Sequence, residues 1–257
     1  MSVLVDSHQV EAFARHVRFI LVEPSHPGNV GAAARAIKTM GFSDLVLVQP
    51  RDSAVLLDPQ ALAMASGADD VLTNARIVAT LPDALVGVQW SLALSARPRE
   101  YGPPLLTPRE AAPRAVEVAL QGGGVALVFG NERTGLANHD VERCTAIAHI
   151  PANPVYSSLN LAQAIQVLAY ELRMAGLAVS VPSQQAEGVS AANGDEIEGM
   201  YVHLEQALID IAFLDPEQPK KLMSRLRRLF ARSGLEREEV NILRGIAKHI
   251  VKLGSRG

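Results

Sequence analysis

Residues 150–162, Ile-Pro-Ala-Asn-Pro-Val-Tyr-Ser-Ser-Leu-Asn-Leu-Ala, restrict what this chain can fold into more than any other stretch. The segment begins as an apolar strand end, and its two prolines then remove backbone donors and hold the chain extended. Behind them Leu161, Ile165, Leu168, Leu172 and Ala175 recur at the spacing of one helix face. Ser157 or Ser158 is therefore the expected N-cap of a long helix, whose first backbone N–H groups face outward. A stiff loop without glycine is a poor phosphate cradle. It suits a site that keeps a fixed shape around something flat.

Upstream, strands and helices alternate. Residues 7–16 predict a short helix with Asp6 and Gln9 spaced as a capping box. Val17–Val22 is rich in branched and aromatic residues and reads as a buried strand. It leaves through a loop, residues 23–31, that feeds a helix with apolar positions Val30, Ala33, Ala34, Ile37 and Met40 and a stop at Gly41. Leu45–Val48 is the next strand, so the first fifty residues form a β-α-β unit, the building block of a parallel sheet. Asp58-Pro59 opens a helix ending near Gly67, and 77–78 and 90–94 are further strands with a short helix at about 82–87 between them. Thr107-Pro108-Arg109-Glu110 combines cap, proline and reciprocal glutamate, and that helix stops at Gly122-Gly123-Gly124. Val125–Phe129 has the pattern of a central strand. After a helix over about 158–179, residues 180–195 are rich in Ser, Gln, Ala and Gly and read as a linker, followed by helices at about 196–213, 219–232 and 236–253.

A chain of 257 residues has room for one sizeable α/β domain and a smaller appendage. Its net charge of −3 argues against indiscriminate coating of nucleic acid, so any such site must be a local basic patch. The single cysteine, Cys144, excludes an intrachain disulfide and a Cys-rich zinc site, and is expected to be a small buried hydrophobe. The histidines are scattered without ligand spacing, so no metal is expected. No signal peptide or spanning segment is evident, and the cytoplasm is the expected location.

Loops after parallel strands gather at the C-terminal edge of the sheet. Four qualify: 23–31, 95–104, 130–136 and 151–158. They carry Asn29, with Arg35 further along the helix; Ser95, Arg97 and Arg99; Gly130, Asn131, Glu132 and Arg133; and Ser157 and Ser158, with Asn160 following. There is neither a G-x-G-x-x-G after the first strand nor a G-x-x-x-x-G-K. Read singly, Asn29 would be a helix cap, Arg35 a solvated residue, Glu132-Arg133 a turn with a weak surface ion pair, and the serines plain caps.

Read together, Asn29-Val30-Gly31 through Arg35, Phe129-Gly130-Asn131-Glu132, and Ile150-Pro151 through Ser157-Ser158-Leu159-Asn160 resemble the three motifs of the SPOUT class of RNA 2′-O-ribose methyltransferases. The likeness spans most of residues 17–178. It is closest to the TrmJ type of tRNA enzyme, which the helical tail 200–253 also resembles. The resemblance implies a parallel-sheet SPOUT domain over 1–179 with a deep C-terminal trefoil knot, a linker over 180–195, and a helical tRNA-binding extension over 196–257. It further implies S-adenosyl-L-methionine in the knot, touching Leu94, Ser95, Ala96, Gly130, Ile150, Ser157, Ser158 and Leu159. A homodimer with sites at its interface is expected, acting on tRNA and not on DNA or a membrane. By the resemblance Arg35 is tied to activation of the ribose hydroxyl. Because a guanidinium stays protonated in proteins, its expected part is to orient that hydroxyl and the adjacent phosphate. Ser158, Asn160, Glu132 and Asn29 are the secondary catalytic candidates.

The segment 219–232 contains no acidic residue. Lys220, Lys221, Arg225, Arg227, Arg228 and Arg232 are expected on one arc of a helix opposite Leu222, Leu226, Leu229 and Phe230, a phosphate-tracking surface for tRNA. The expected reaction is methylation of cytidine or uridine at position 32 of the anticodon loop. The alternatives are a ribosomal RNA 2′-O-methyltransferase, a silent RNA-binding protein, and a small-molecule α/β enzyme, which would have no use for the basic segment.

Overall fold

A computed structural model describes residues 7–96, 102–179 and 192–254. In chain order the elements are α1 (Ser7–Ala14), β1 (Val17–Val22), α2 (Pro27–Thr39), β2 (Asp44–Val48), α3 (Pro59–Ala65), α4 (Asp69–Thr73), β3 (Arg76–Val78), α5 (Leu81–Leu85), β4 (Val88–Leu94), β5 (Leu105–Leu106), α6 (Pro108–Leu120), β6 (Gly124–Phe129), α7 (Asn138–Glu142), β7 (Ala146–Ala148), α8 (Leu161–Ala178), α9 (Gly194–Asp210), α10 (Leu222–Ala231) and α11 (Arg237–Gly254). A 3₁₀ turn over Val55–Leu57 precedes α3.

The strands form one seven-stranded sheet in the order β3-β2-β1-β6-β4-β7-β5, with every pairing parallel. As the sequence predicts, β6 is central. Its side chains alternate with the period of the pleat: Val125, Leu127 and Phe129 enter the core on one face, Ala126 and Val128 that on the other. Strand β1 splits likewise, with Val17, Phe19 and Leu21 facing the first core and Ile20 and Val22 the second. Burial on both faces is why these strands read as continuous apolar runs. Helices α1, α2, α6 and α8 contribute to the first core, whereas α5 and α7 contribute Leu81, Leu85 and Val141 to the second. Cys144 lies in that second core, and burial pushes its thiol up to about 12, so it is an inert hydrophobe.

Several boundaries differ from the sequence reading. Helix α2 starts at Pro27 and not near Val30, with Pro27 at a first-turn position where the missing N–H costs nothing, so Asn29 lies within the helix and does not cap it. The N-cap of α8 is Asn160, in a capping box with Gln163, and not Ser157 or Ser158. The α6 capping box of Thr107 and Glu110 forms as read. Short α4, β5, α7 and β7 carry too few residues for a periodic signal. The proposed Asp6 cap and the loop residues Arg97 and Arg99 lie outside the described residues.

Helices α9, α10 and α11 enclose a small core of their own, Ala192, Met200, Tyr201 and Val240, with Ile197, Met223, Phe230, Leu235 and Leu243 against it. Helix α9 begins at Gly194, inside the stretch read as linker, with an Asn193–Glu196 capping box. The unit rests on the β4 side of the sheet around a gap of about 160 Å³ walled by Leu85, Val88, Trp90, Ile197, Tyr201 and Phe230.

Candidate active site

A cavity of about 850 Å³ opens at the C-terminal edge of the sheet. Its walls come from the ends of β4 (Leu94, Ser95, Ala96) and β6 (Phe129), the following loop through Asn138, the α7 residues Val141 and Glu142, Ile150, and Ser157–Leu159 with Leu161 and Ala164. The eight residues expected around the methyl donor therefore line one space. Here β7 lies between β4 and β5, and the chain leaves it through the proline-rich segment to α8. Gly130 is required at the end of β6, since a Cβ there would collide with the Gly135–Leu136 peptide.

The three sequence motifs are joined by hydrogen bonds. Asn29 donates from Nδ2 to Glu132 Oε1 at 3.0 Å, and Asn160 donates from Nδ2 to Asn29 Oδ1 at 3.0 Å. The other Glu132 bonds come from the β1–α2 loop: the Ser25 amide (3.0 Å) and hydroxyl (2.7 Å) to Oε2, and the His26 amide (3.2 Å) to Oε1. Burial alone would raise the Glu132 carboxyl, but the bonds from Asn29 and Ser25 outweigh it and hold it below the usual range. Such a carboxylate is a poor base. Its geometry makes it the tie between the first and second motifs. Asn160 Oδ1 accepts from the Ala162 amide at 2.9 Å, so this side chain both caps α8 and holds α2. Asn131 fixes its own loop, donating to the Glu23 carbonyl at 2.8 Å and accepting from the Arg133 amide at 2.9 Å. Ser25 was not singled out in the sequence, where a lone serine between prolines has no distinguishing pattern.

Arg35 does not line this cavity. It is exposed on α2, six residues beyond Asn29 and so about 9 Å further along the helix axis. Ser158 lines the cavity and is exposed.

The basic segment divides differently from the sequence reading. Lys220 and Lys221 precede α10. Arg227 points inward: it grips Glu198 with two bonds of 2.8 and 2.7 Å and lies over the Tyr201 ring at 4.2 Å. That arginine is a docking contact because α10 turns this side toward α9. Leu229, expected on the apolar side, is instead exposed. Lys220, Arg225, Arg228 and Arg232 are on the surface. Lys221 lines the main cavity together with Ser224, neither of which the sequence placed there.

Among the described residues there is no group of three His, Cys, Asp or Glu that could hold a metal, and no helix long and apolar enough to cross a membrane.

Residues 16–170 match the model of the SpoU rRNA methylase family, and residues 195–256 match that of the C-terminal domain of the tRNA methyltransferase TrmJ. The chain is 50% identical over 245 residues to the tRNA (cytidine/uridine/adenosine-2′-O-)-methyltransferase TrmJ of Pseudomonas aeruginosa, covering 92% of this chain and 94% of that protein. It is 47% identical over 238 residues to the tRNA (cytidine/uridine-2′-O-)-methyltransferase TrmJ of Escherichia coli K12, covering 92% and 95%. The crystal structure of TrmJ from Zymomonas mobilis superposes with a TM-score of 0.77 at 36% identity, covering 91% of this chain and 98% of that one.

Proposed function

Because the chain belongs to the SpoU methylase family, in its TrmJ branch, we propose that it methylates the ribose 2′-hydroxyl of cytidine or uridine in tRNA, at position 32 of the anticodon loop, with S-adenosylmethionine as donor. The observation carrying this reading is the bonded chain Ser25–Glu132–Asn29–Asn160, which ties the three motifs together beside one cavity.

The cavity suits the donor. Leu94, Ile150, Leu159 and Leu161 offer an apolar slot for a flat base beside the backbone of Gly130. Ile150 and Ser157–Leu159 would hold the adenine edge, and Ser95, Ala96 and Gly130 the rest. When bound, S-adenosylmethionine supplies an electrophilic methyl group. The protein's own contribution is alignment, because an in-line displacement rewards exact placement of the reacting atoms. Arg35 orients the 2′-hydroxyl and the neighbouring phosphate. The oxygens of Glu132 and the amide of Asn160 are already engaged, so these two, with Asn29, position the motifs. Ser158, exposed in the cavity, is the candidate hydroxyl to accept a hydrogen bond from the target hydroxyl.

The distance of Arg35 from the cavity of its own chain supports a homodimer in which a second copy brings its Arg35 to this site. Val155 and Tyr156, 91% and 79% exposed beside Ser157, supply apolar surface for that contact. The insertion of β7 between two earlier strands, β4 and β5, supports the deep trefoil knot. The separate matches to 16–170 and 195–256 support a methyltransferase domain over 1–179, a linker over 180–195 and an extension over 196–257. Lys220, Lys221, Arg225, Arg228 and Arg232 form the tRNA-gripping surface of that extension. DNA has no 2′-hydroxyl to accept the methyl group, and a tRNA substrate is consistent with a cytoplasmic enzyme.

The test is methyl transfer from labelled S-adenosylmethionine to bulk tRNA lacking the modification, followed by nucleoside mapping. Label at a 2′-O-methylated pyrimidine of the anticodon loop is expected, and transfer to ribosomal RNA alone would overturn the reading. In the same assay Arg35→Ala should lower kcat by roughly a hundredfold while donor affinity holds. Equal loss of both would remove Arg35 from the transfer step.

A further inference from the structure

We propose that Phe213, in the loop between α9 and α10, is a stacking platform for an unpaired nucleobase of the tRNA, a base other than the one whose ribose is methylated. This rests on the function proposed above and adds to its cationic surface a contact that carries no charge.

Of the six phenylalanines, Phe13, Phe19, Phe42 and Phe129 lie in the first core and Phe230 packs against that of the extension. Phe213 is instead 66% exposed. The backbone that carries it is held in place. Ala212, left-handed at φ +55° where glycine is usual, closes a Schellman motif at the end of α9. Its amide donates to the Ile209 carbonyl at 2.8 Å, and the Phe213 amide donates to that of Leu208 at 2.9 Å. Leu214, 3% exposed, then anchors the chain. Beyond it the Glu217 amide donates to Asp215 Oδ1 at 2.9 Å, Pro216 and Pro219 stiffen the loop, and Lys220 is again left-handed at φ +50°. A ring presented from a loop fixed at both ends loses little freedom when a planar ligand lands on it.

Phe213, Leu214, Gln218 and Pro219 line a hollow of about 620 Å³, within the roughly 300–1,000 Å³ range of single-ligand sites. Lys221 lines both this hollow and the methyl-transfer cavity, so the two adjoin. Lys220 and Arg225 also line the hollow, and the segment 219–232 behind it holds no acidic residue. The nearby loop carboxylates are Asp215, which lines the hollow, and Glu217, which is exposed. Stacking does not require any of these cations to be free, because every base offers a π face to an aromatic ring. In a duplex those faces are covered by the neighbouring pairs, so the base that fits is an unpaired one.

Loss of a phosphate contact lowers the salt slope of tRNA binding by about one, whereas loss of a stacked base weakens binding alike at every salt concentration. The experiment measures the tRNA Kd of the full-length protein, with S-adenosylhomocysteine bound, across a salt series. It compares wild type with Phe213→Ala, Phe213→Leu, Phe213→Tyr and Phe213→Trp. Phe213→Ala should weaken binding by about tenfold with the slope unchanged. Phe213→Tyr should recover most of the loss, and Phe213→Leu, which is apolar but has no π face, should not. The fluorescence of Phe213→Trp should be quenched by tRNA beyond any change in wild type, whose single tryptophan, Trp90, is buried. A Phe213→Ala protein with Kd within about twofold of wild type, or a Phe213→Leu protein that matches wild type, overturns the proposal. So does a Phe213→Ala protein that loses affinity because it changes oligomeric state in sedimentation, which would assign the ring to a protein contact. Wild-type protein that methylates no tRNA fails the parent function, is read before any variant, and takes this inference with it.

Discussion

The Glu132 carboxylate accepts four hydrogen bonds, and that saturation decides what the residue can do. Glu132→Gln keeps the size but turns an acceptor oxygen into a donor that faces other donors, leaving polar groups unpaired. Stability should fall by about 1–3 kcal/mol, read by chemical denaturation, and turnover should fall with it as the motifs loosen. Because the folded carboxyl is held below its unfolded value, its stabilisation is present above about pH 4.3. It is lost as pH falls through the lower, folded value. An acid titration of wild type should show this loss and Glu132→Gln should not. Asn29, Glu132 and Asn160 were each legible as motif residues, yet their bonds span more than a hundred positions, and spacing along a chain carries no such distance. Asn160 was recoverable as a cap: Gln163 stands three residues on, completing a box that neither serine has.

At the scale of elements, contacts between helices matter more than propensity. Helices α2 and α3 meet at Gly31, where a Cβ would collide with the Ala61 carbonyl. Gly31→Ala, a favourable change by helix propensity alone, should therefore destabilise by about 1–3 kcal/mol or more, measurable by thermal unfolding. The strong strands and the capped α6 were legible because period, cap and stop coincide there. Strands β5 and β7, of two and three residues, gave no period to read. The basic face of α10 was misjudged at Arg227, since a charge run does not reveal which member a facing Glu198 will claim. That pair brings burial, which on its own favours the neutral forms, against mutual attraction. The attraction prevails, lowering the Glu198 carboxyl and raising the Arg227 guanidinium. Arg227→Ala should speed amide exchange in α9–α11 while the sheet stays protected, and uniform protection would contradict a docking role.

On the scale of the whole molecule, the extension clusters Ala192, Met200, Tyr201 and Val240 in a small core of its own and gains support from β4, α5 and α7 beneath it. Of these supports β4 and α7 also wall the site, so anchoring the extension and shaping the cavity share those two elements. The sheet order has a consequence for synthesis. Strand β4 pairs only with β6 and β7, and β1 awaits β6 on one side. A nascent chain that has emerged as far as residue 123 can pair β1, β2 and β3, but it holds the apolar edge Val88–Leu94 without a neighbour. At about 5–20 residues per second, the ribosome leaves that edge open for roughly one and a half to six seconds. This is an interval in which a chaperone, or another nascent copy on the same message, competes with β6 for it.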